Sequence, residues 1–265
     1  MIGRGLARRI AARAARPYIA GETLAEALAA ADRLQLPTTL GYWDGADDGP
    51  ALVADRYVEL LGALGARHGA YASIKLPALG TDPAAAEAVA AAARTAGVLL
   101  HFDSLEESAA DRTLRLVTEL APSLSVGATV PGAWSRSVQD AAGLAEAGVR
   151  VRVVKGQWPG DRDPRAGFLA VVRRLAEHGG RIAIATHDAS LAKEALALCD
   201  GLSPELELLY GLPLQPASAV ARDRGVQVRI YVPYGAAYLP YALRRAREQP
   251  RILWWIARDA VRPGT

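Results

Sequence analysis

The chain has 265 residues, 51% of them apolar, a formal net charge of +3 and a single cysteine, Cys199. That length suits one large domain, and the apolar share supports a sizeable core and excludes a disordered chain. One cysteine excludes an internal disulfide framework and fits a reducing, cytoplasmic setting.

The positive charge is concentrated at the start. Arg4, Arg8, Arg9, Arg13 and Arg16 fall within the first twenty residues with no acid among them, so the remainder carries a slight negative excess. A body without a basic field predicts no nucleic-acid partner. Interleaved alanines in "GRGLARRIAARAARPYIAG" leave no long apolar run, so neither a signal peptide nor a membrane span is expected. Ile2, Leu6 and Ile10 recur at four-residue spacing and would support a weak peripheral contact with the inner face of a membrane. The narrowness of that stripe favours a solvated terminal helix instead. Residues 1–36 are therefore read as a helical extension, and 37–265 as one catalytic domain.

Within that domain, short β-rich runs alternate with alanine-rich helical stretches. The predicted strands are "TTLGYW" from Thr38, "YASIKL" from Tyr71, "VLLHFD" from Val98 and "LSVGATV" from Leu124. They continue with "VRVRVVK" from Val149, "RIAIAT" from Arg181, "LELLYG" from Leu206 and "VRIYVP" from Val228. A helix-length interval follows each, and Gly69, Gly97, Gly148 and Gly179 stand where four helices are expected to end. Eight strands in strict alternation with helices specify an α/β fold, a (β/α)8 barrel of the TIM type.

Chemistry in such a barrel sits at the carboxyl ends of the strands. Polar residues collect there: Lys75 after the second strand, Asp103 after the third, Lys155 after the fifth and Thr186-His187-Asp188 after the sixth. Tyr210 closes the seventh, and Tyr234 is read as following the eighth.

Two clusters stand out. In "RIYVPYGAAYLPYALRRAREQP", Pro240 suits the first turn of a helix beginning near Leu239. Tyr241, Arg244, Arg245 and Glu248 then share one face. Paired guanidiniums suit a carboxylate or a phosphate, while an exposed Arg–Glu pair is the plainer alternative. In "VRVRVVKGQW", alternation points Val151, Val153 and Lys155 one way and Arg152 and Val154 the other, with Gly156 allowing close approach to the backbone. Lys155 could stabilise an anionic cofactor, and Lys75 or Lys155 could form a Schiff base as barrel aldolase lysines do. Either could also be a rim lysine paired with Asp103 or Asp188.

"HFD" and "THD" bring histidine and aspartate together, but four histidines in all, His68, His101, His178 and His187, are too few for a metal-dependent hydrolase barrel, and no metal is expected. There is no dinucleotide fingerprint, P-loop or nucleophile elbow. A docking surface built on the arginines would not require polar residues aligned along one rim.

In chain order, several of these segments resemble the bacterial proline dehydrogenases of the monofunctional type. The likeness is strongest at the carboxyl end, where the family carries R-x-Y-x-P-x-G followed by Y-x-x-R-R-x-x-E; "RVVKGQW", "SIKLPALG", "FDSLEES", "IATHD" and "LLYG" match further segments. The resemblance implies FAD-dependent oxidation of L-proline to Δ1-pyrroline-5-carboxylate, with electrons passed to a quinone or another acceptor. It implies that Arg244 and Arg245 grip the amino-acid carboxylate, with Tyr231, Tyr241, Glu248, Lys75 and Trp158 around the substrate. It places Lys75, Asp103 and Arg152 at the chemistry, and Arg152, Lys155, Gly156, Thr186, His187, Pro131 and Glu207 on the flavin. The pattern departs at Pro131 and Glu207, where the family commonly has glutamine, at Gln157 and Trp158, and at "LGYWDG" in the first strand. A member acting on a different cyclic or secondary amino acid is the close variant, and a flavin-free Schiff-base lyase the distinct one.

Overall fold

The computed structural model describes residues 20–237 apart from 66, 68, 104, 105 and 157–159. Helix α1 (Leu24–Leu34) is opened by a capping box, in which Thr23 accepts from the Glu26 backbone and the Glu26 carboxylate accepts in return from Thr23. Strand β1 (Thr38–Tyr42) leads to α2 (Pro50–Leu64), β2 (Tyr71–Ile74) to α3 (Pro83–Ala96), and β3 (Leu99–Phe102) to α4 (Ala110–Leu120). Then β4 (Val126–Pro131) precedes α5 (Ser137–Glu146), and β5 (Arg150–Val154) precedes α6 (Pro164–Glu177). The remaining pairs are β6 (Arg181–Ala185) with α7 (Ala189–Ala197), and β7 (Glu205–Leu209) with α8 (Ala217–Asp223), before β8 (Gln227–Tyr234).

The eight strands form a closed parallel barrel in sequential order, with β1 and β8 joined over Thr38↔Ile230 to Tyr42↔Tyr234. The expected (β/α)8 architecture is therefore present. Helix starts are written locally: Asp82 and Asp163 each cap a helix with proline at its first position, and Asp188 caps α7 through the Ser190 and Leu191 amides. Gly97 ends α3 in the left-handed conformation as expected, at φ 64°. Gly69 does not end a helix: α2 stops earlier, with Gly65 as its cap, and Gly69 lies in the approach to β2.

The two faces of each strand differ in kind. Outward residues such as Leu40, Ile74, Phe102, Val151, Val153, Ile184, Leu208 and Val232 are buried against the helices and form the apolar core. Inward residues are polar and charged. Arg229, 2% exposed, donates to Glu205 at 2.8 Å, to the Gly69 carbonyl at 2.6 Å and to the Thr38 carbonyl at 3.0 Å. Glu205 also accepts from Arg150 at 2.6 Å, and the ring of Tyr71 stacks on both guanidiniums, 3.6 Å from Arg229 and 5.0 Å from Arg150. Arg150 reaches Glu207 at 3.0 Å, and Glu207 accepts from Arg152 at 2.6 Å. A ladder of alternating charges thus climbs from the floor of the barrel to its carboxyl rim. An all-paired network of this kind adds little over a packed apolar interior, but removing one member leaves its partner buried and uncompensated.

Candidate active site at the carboxyl rim

The top of that ladder is Arg152. Its Nη1 donates to Asp103 at 2.7 Å and its Nη2 to Glu207 at 2.6 Å, while its guanidinium lies 5.0 Å above the Tyr231 ring. Burial alone would disfavour its charge, but the carboxylates of Glu207 and Asp103 overrule that and raise its pKa further. Burial would likewise push the Glu207 carboxyl up; the facing Arg152 and Arg150 charges instead hold it well below the usual range. Both are ionised, and the guanidinium is fixed from two sides.

Asp103 also accepts from the Tyr231 hydroxyl at 3.0 Å. Burial first, and Asp103 second, drive that phenol well above its ordinary pKa, so it is neutral. Tyr231 fits because β1 offers Gly41 opposite it: a Cβ there would stand 2.3 Å from the hydroxyl oxygen. The same oxygen accepts from the Trp43 indole Nε1 at 2.9 Å. Lys75 completes the group, with Nζ 2.9 Å from Asp44 and 4.9 Å from the Trp43 ring. The backbone N–H of Lys75 donates to the Tyr57 hydroxyl, which pins the strand end. Below them His101 bonds Thr129 at 2.9 Å, and burial, followed by the Arg152 and Arg150 charges, keeps it neutral.

The residues expected on a flavin lie along the β4–β7 side. Pro131 ends β4, and its carbonyl accepts from Ser137. Lys155 is exposed, and its charge reaches Asp188. Gly156 has φ 114°, and a Cβ there would come within 2.9 Å of Ala133, so the turn after β5 requires glycine. Thr186 is buried and accepts from the Asp188 amide at 3.2 Å. His187 bonds the Pro213 carbonyl through Nδ1, while Nε2 accepts from the Leu209 amide at 2.9 Å. Burial lowers its pKa, and with both nitrogens engaged only the ring surface is left to offer a ligand.

These residues fit a flavin in two observable respects. Arg152 keeps one buried donor, Nε, without a partner among the described residues, and the Lys155-Gly156 turn presents an exposed cation on a backbone that a ligand can approach. Glu207, by contrast, spends its carboxylate on Arg150 and Arg152 and can act on a ligand only through Arg152. A shallow cleft opens beside the site, between Asp103, Thr129, Pro131, Trp134 and the start of α4.

Two expectations change on this rim. Lys75 is paired with Asp44, not with Asp103 or Asp188. Tyr234 does not follow the last strand: it is the final residue of β8, points away from the mouth and packs 5.4 Å from Tyr42 in the outer core. Asp44 and Trp43 were visible in sequence only as a departure in "LGYWDG", and nothing in the order of residues marked them as neighbours of Lys75 and Tyr231. Trp158, Tyr241, Arg244, Arg245 and Glu248 lie outside the described residues, as do Tyr238, His68 and the terminal stripe of Ile2, Leu6 and Ile10. Among the described residues no cluster of His, Cys, Asp and Glu could hold a metal, and no helix is long and apolar enough to cross a membrane.

Comparison with known proteins points in one direction. A family model described as "Proline dehydrogenase" matches residues 162–251. The curated proline dehydrogenase of Deinococcus radiodurans is 26% identical over 266 residues, covering 88% of this chain and 86% of the relative. Proline dehydrogenase 1 of Bacillus subtilis strain 168 is 24% identical over 264 residues, covering 89% of this chain and 87% of the relative. Among solved structures, proline utilization A from Bdellovibrio bacteriovorus, inactivated by N-propargylglycine, matches with a TM-score of 0.77 at 20% identity over 92% of this chain. The corresponding protein of Corynebacterium freiburgense gives 0.70 at 20% identity over 97%. The chain spans 33% of either structure's length, and the likeness establishes the barrel.

Proposed function

We propose that the chain, which is similar to curated proline dehydrogenases over most of its length, oxidises L-proline to Δ1-pyrroline-5-carboxylate with FAD as cofactor and a quinone or another acceptor as the electron sink. The observation that carries this reading is the Arg152 guanidinium, clamped by Asp103 and Glu207 at the rim, with Tyr231 and Lys75 beside it.

What bound FAD would supply is hydride acceptance, which side chains cannot provide. The protein's own residues supply position and charge. Arg152 is a cation that needs no reorganisation, and with Lys155 it favours negative charge on a group bound over β5. Gly156, Thr186 and Pro131 line the same side and would hold the cofactor by shape and backbone approach, with the His187 ring braced beneath. Tyr231 offers the substrate an apolar ring face, its proton committed to Asp103. Lys75, restrained by Asp44, sets a positive charge at the β2 side of the mouth. By the resemblance, Arg244 and Arg245 would supply the bidentate grip on the carboxylate, with Tyr241, Glu248 and Trp158 around the substrate.

The test is optical. Protein reconstituted with FAD should show a flavin spectrum that bleaches on anaerobic addition of L-proline. Failure to bind FAD overturns the reading, and bound flavin that proline leaves oxidised moves the assignment to another cyclic or secondary amino acid.

A further inference from the structure

We propose that Trp43 is a positioning residue of the substrate site, which orients the Tyr231 hydroxyl and forms the β1 wall of the pocket. This rests on the reading above that the mouth between Tyr231, Lys75 and Asp103 receives the amino acid.

The argument begins with placement. Trp43 follows directly on β1, between β8, which supplies Tyr231, and β2, which leads to Lys75. Its side chain touches both: Nε1 is 2.9 Å from the Tyr231 hydroxyl, and the Lys75 ammonium lies 4.9 Å from the ring. Its backbone is held independently, the amide donating to Tyr234 at 2.7 Å and the carbonyl accepting from Ala237 at 3.4 Å. A change of side chain therefore need not move the rim.

Direction follows from chemistry. An indole N–H can only donate, so the Tyr231 oxygen must accept from it. The hydroxyl's single proton then goes to its other neighbour, the Asp103 carboxylate at 3.0 Å. Gly41 leaves the phenol just enough room on the β1 side, so the ring cannot retreat further from the mouth. The result is an ordered relay, Trp43 to Tyr231 to Asp103, in which Arg152 holds the far end. With its proton directed inward, Tyr231 can offer a ligand a ring face and an acceptor but no donor. That suits a substrate whose amine carries N–H and whose ring is otherwise apolar. Lys75, attracted to the face of the same indole, is kept on the β2 side of Trp43, across the indole from Tyr231.

The test uses the FAD-loaded enzyme and steady-state kinetics with proline. Trp43→Phe keeps an aromatic wall and removes the donor. It should raise KM about 3- to 10-fold, the range one lost hydrogen bond supports, with kcat changed less than about 2-fold. In a Tyr231→Phe background the same substitution should add almost nothing, because the partner is already gone. Trp43→His, which retains a ring N–H, should recover about half of the loss and serves as the second variant if Trp43→Phe folds poorly. An unchanged KM in Trp43→Phe, or an equal penalty with and without the Tyr231 hydroxyl, overturns the inference. A parent enzyme whose flavin proline does not reduce overturns the functional reading itself, and the substrate role of Trp43 falls with it.

Discussion

The inside and the outside of this barrel are built from the same strands but obey different rules. On β5, Val151 and Val153 face the helices among apolar neighbours, while Arg150 and Arg152 face inward among Glu205, Glu207 and Asp103. The outer shell is held by burial of apolar surface, which is non-directional and forgives small changes of shape. The inner network is held by paired charges in a low-dielectric space, where each member is needed by the others. The contrast teaches that the interior is organised to fix guanidiniums in place. Stability is carried by the shell around it.

The most forceful way to break that contrast is Glu207→Ala. It strands Arg150 and Arg152 in the barrel and should cost about 3–5 kcal/mol in urea unfolding. Glu207→Gln keeps the shape and an acceptor and should cost clearly less. Acid should act on the inside next. The pKa of buried His101 is lowered well below 6.5, so below that value the unfolded chain binds more protons than the folded one. The stability present above about pH 6.5 should decline as the pH falls, and the decline should be smaller in His101→Gln. Glu207, lowered from 4.5, adds a second loss below that pH. Unfolding midpoints measured from pH 7.5 to 4 check both. The smallest effect belongs to the shell. The Tyr234 hydroxyl is buried without a partner among the described residues, so Tyr234→Phe should shift stability by no more than about 0.5 kcal/mol, or raise it. A large loss there would mean that the shell, too, depends on polar contacts.

The eight strands were legible because each is a short β-rich run separated by a helical interval, and tertiary structure kept that local preference. Lys75 and Asp103 were legible as rim residues because a barrel presents its strand ends together, whereas Arg152 and Tyr231 were marked only by the family resemblance. The direction of alternation was not. "VRVRVV" reads equally well with arginines in or out, and only the carboxylates arriving from β7 make an inward arginine tolerable. The pairing of Trp43 with Tyr231, 188 residues apart, has no local signal at all, because it is created by closure of β1 on β8. Tyr234 was misplaced by a one-residue ambiguity at the strand end, which in a period of two changes the face.

Gly41 gives this architecture a constraint on how it can vary. Since any side chain at 41 would occupy the space of the Tyr231 hydroxyl, the two positions form one unit of substitution. A barrel of this design could acquire an alanine on β1 only by giving up the phenol on β8, and with it the contact that ties Trp43 to Asp103. Changing the substrate side of such an enzyme therefore has an order across the β1–β8 seam: the phenol oxygen at 231 must go before a side chain can enter at 41.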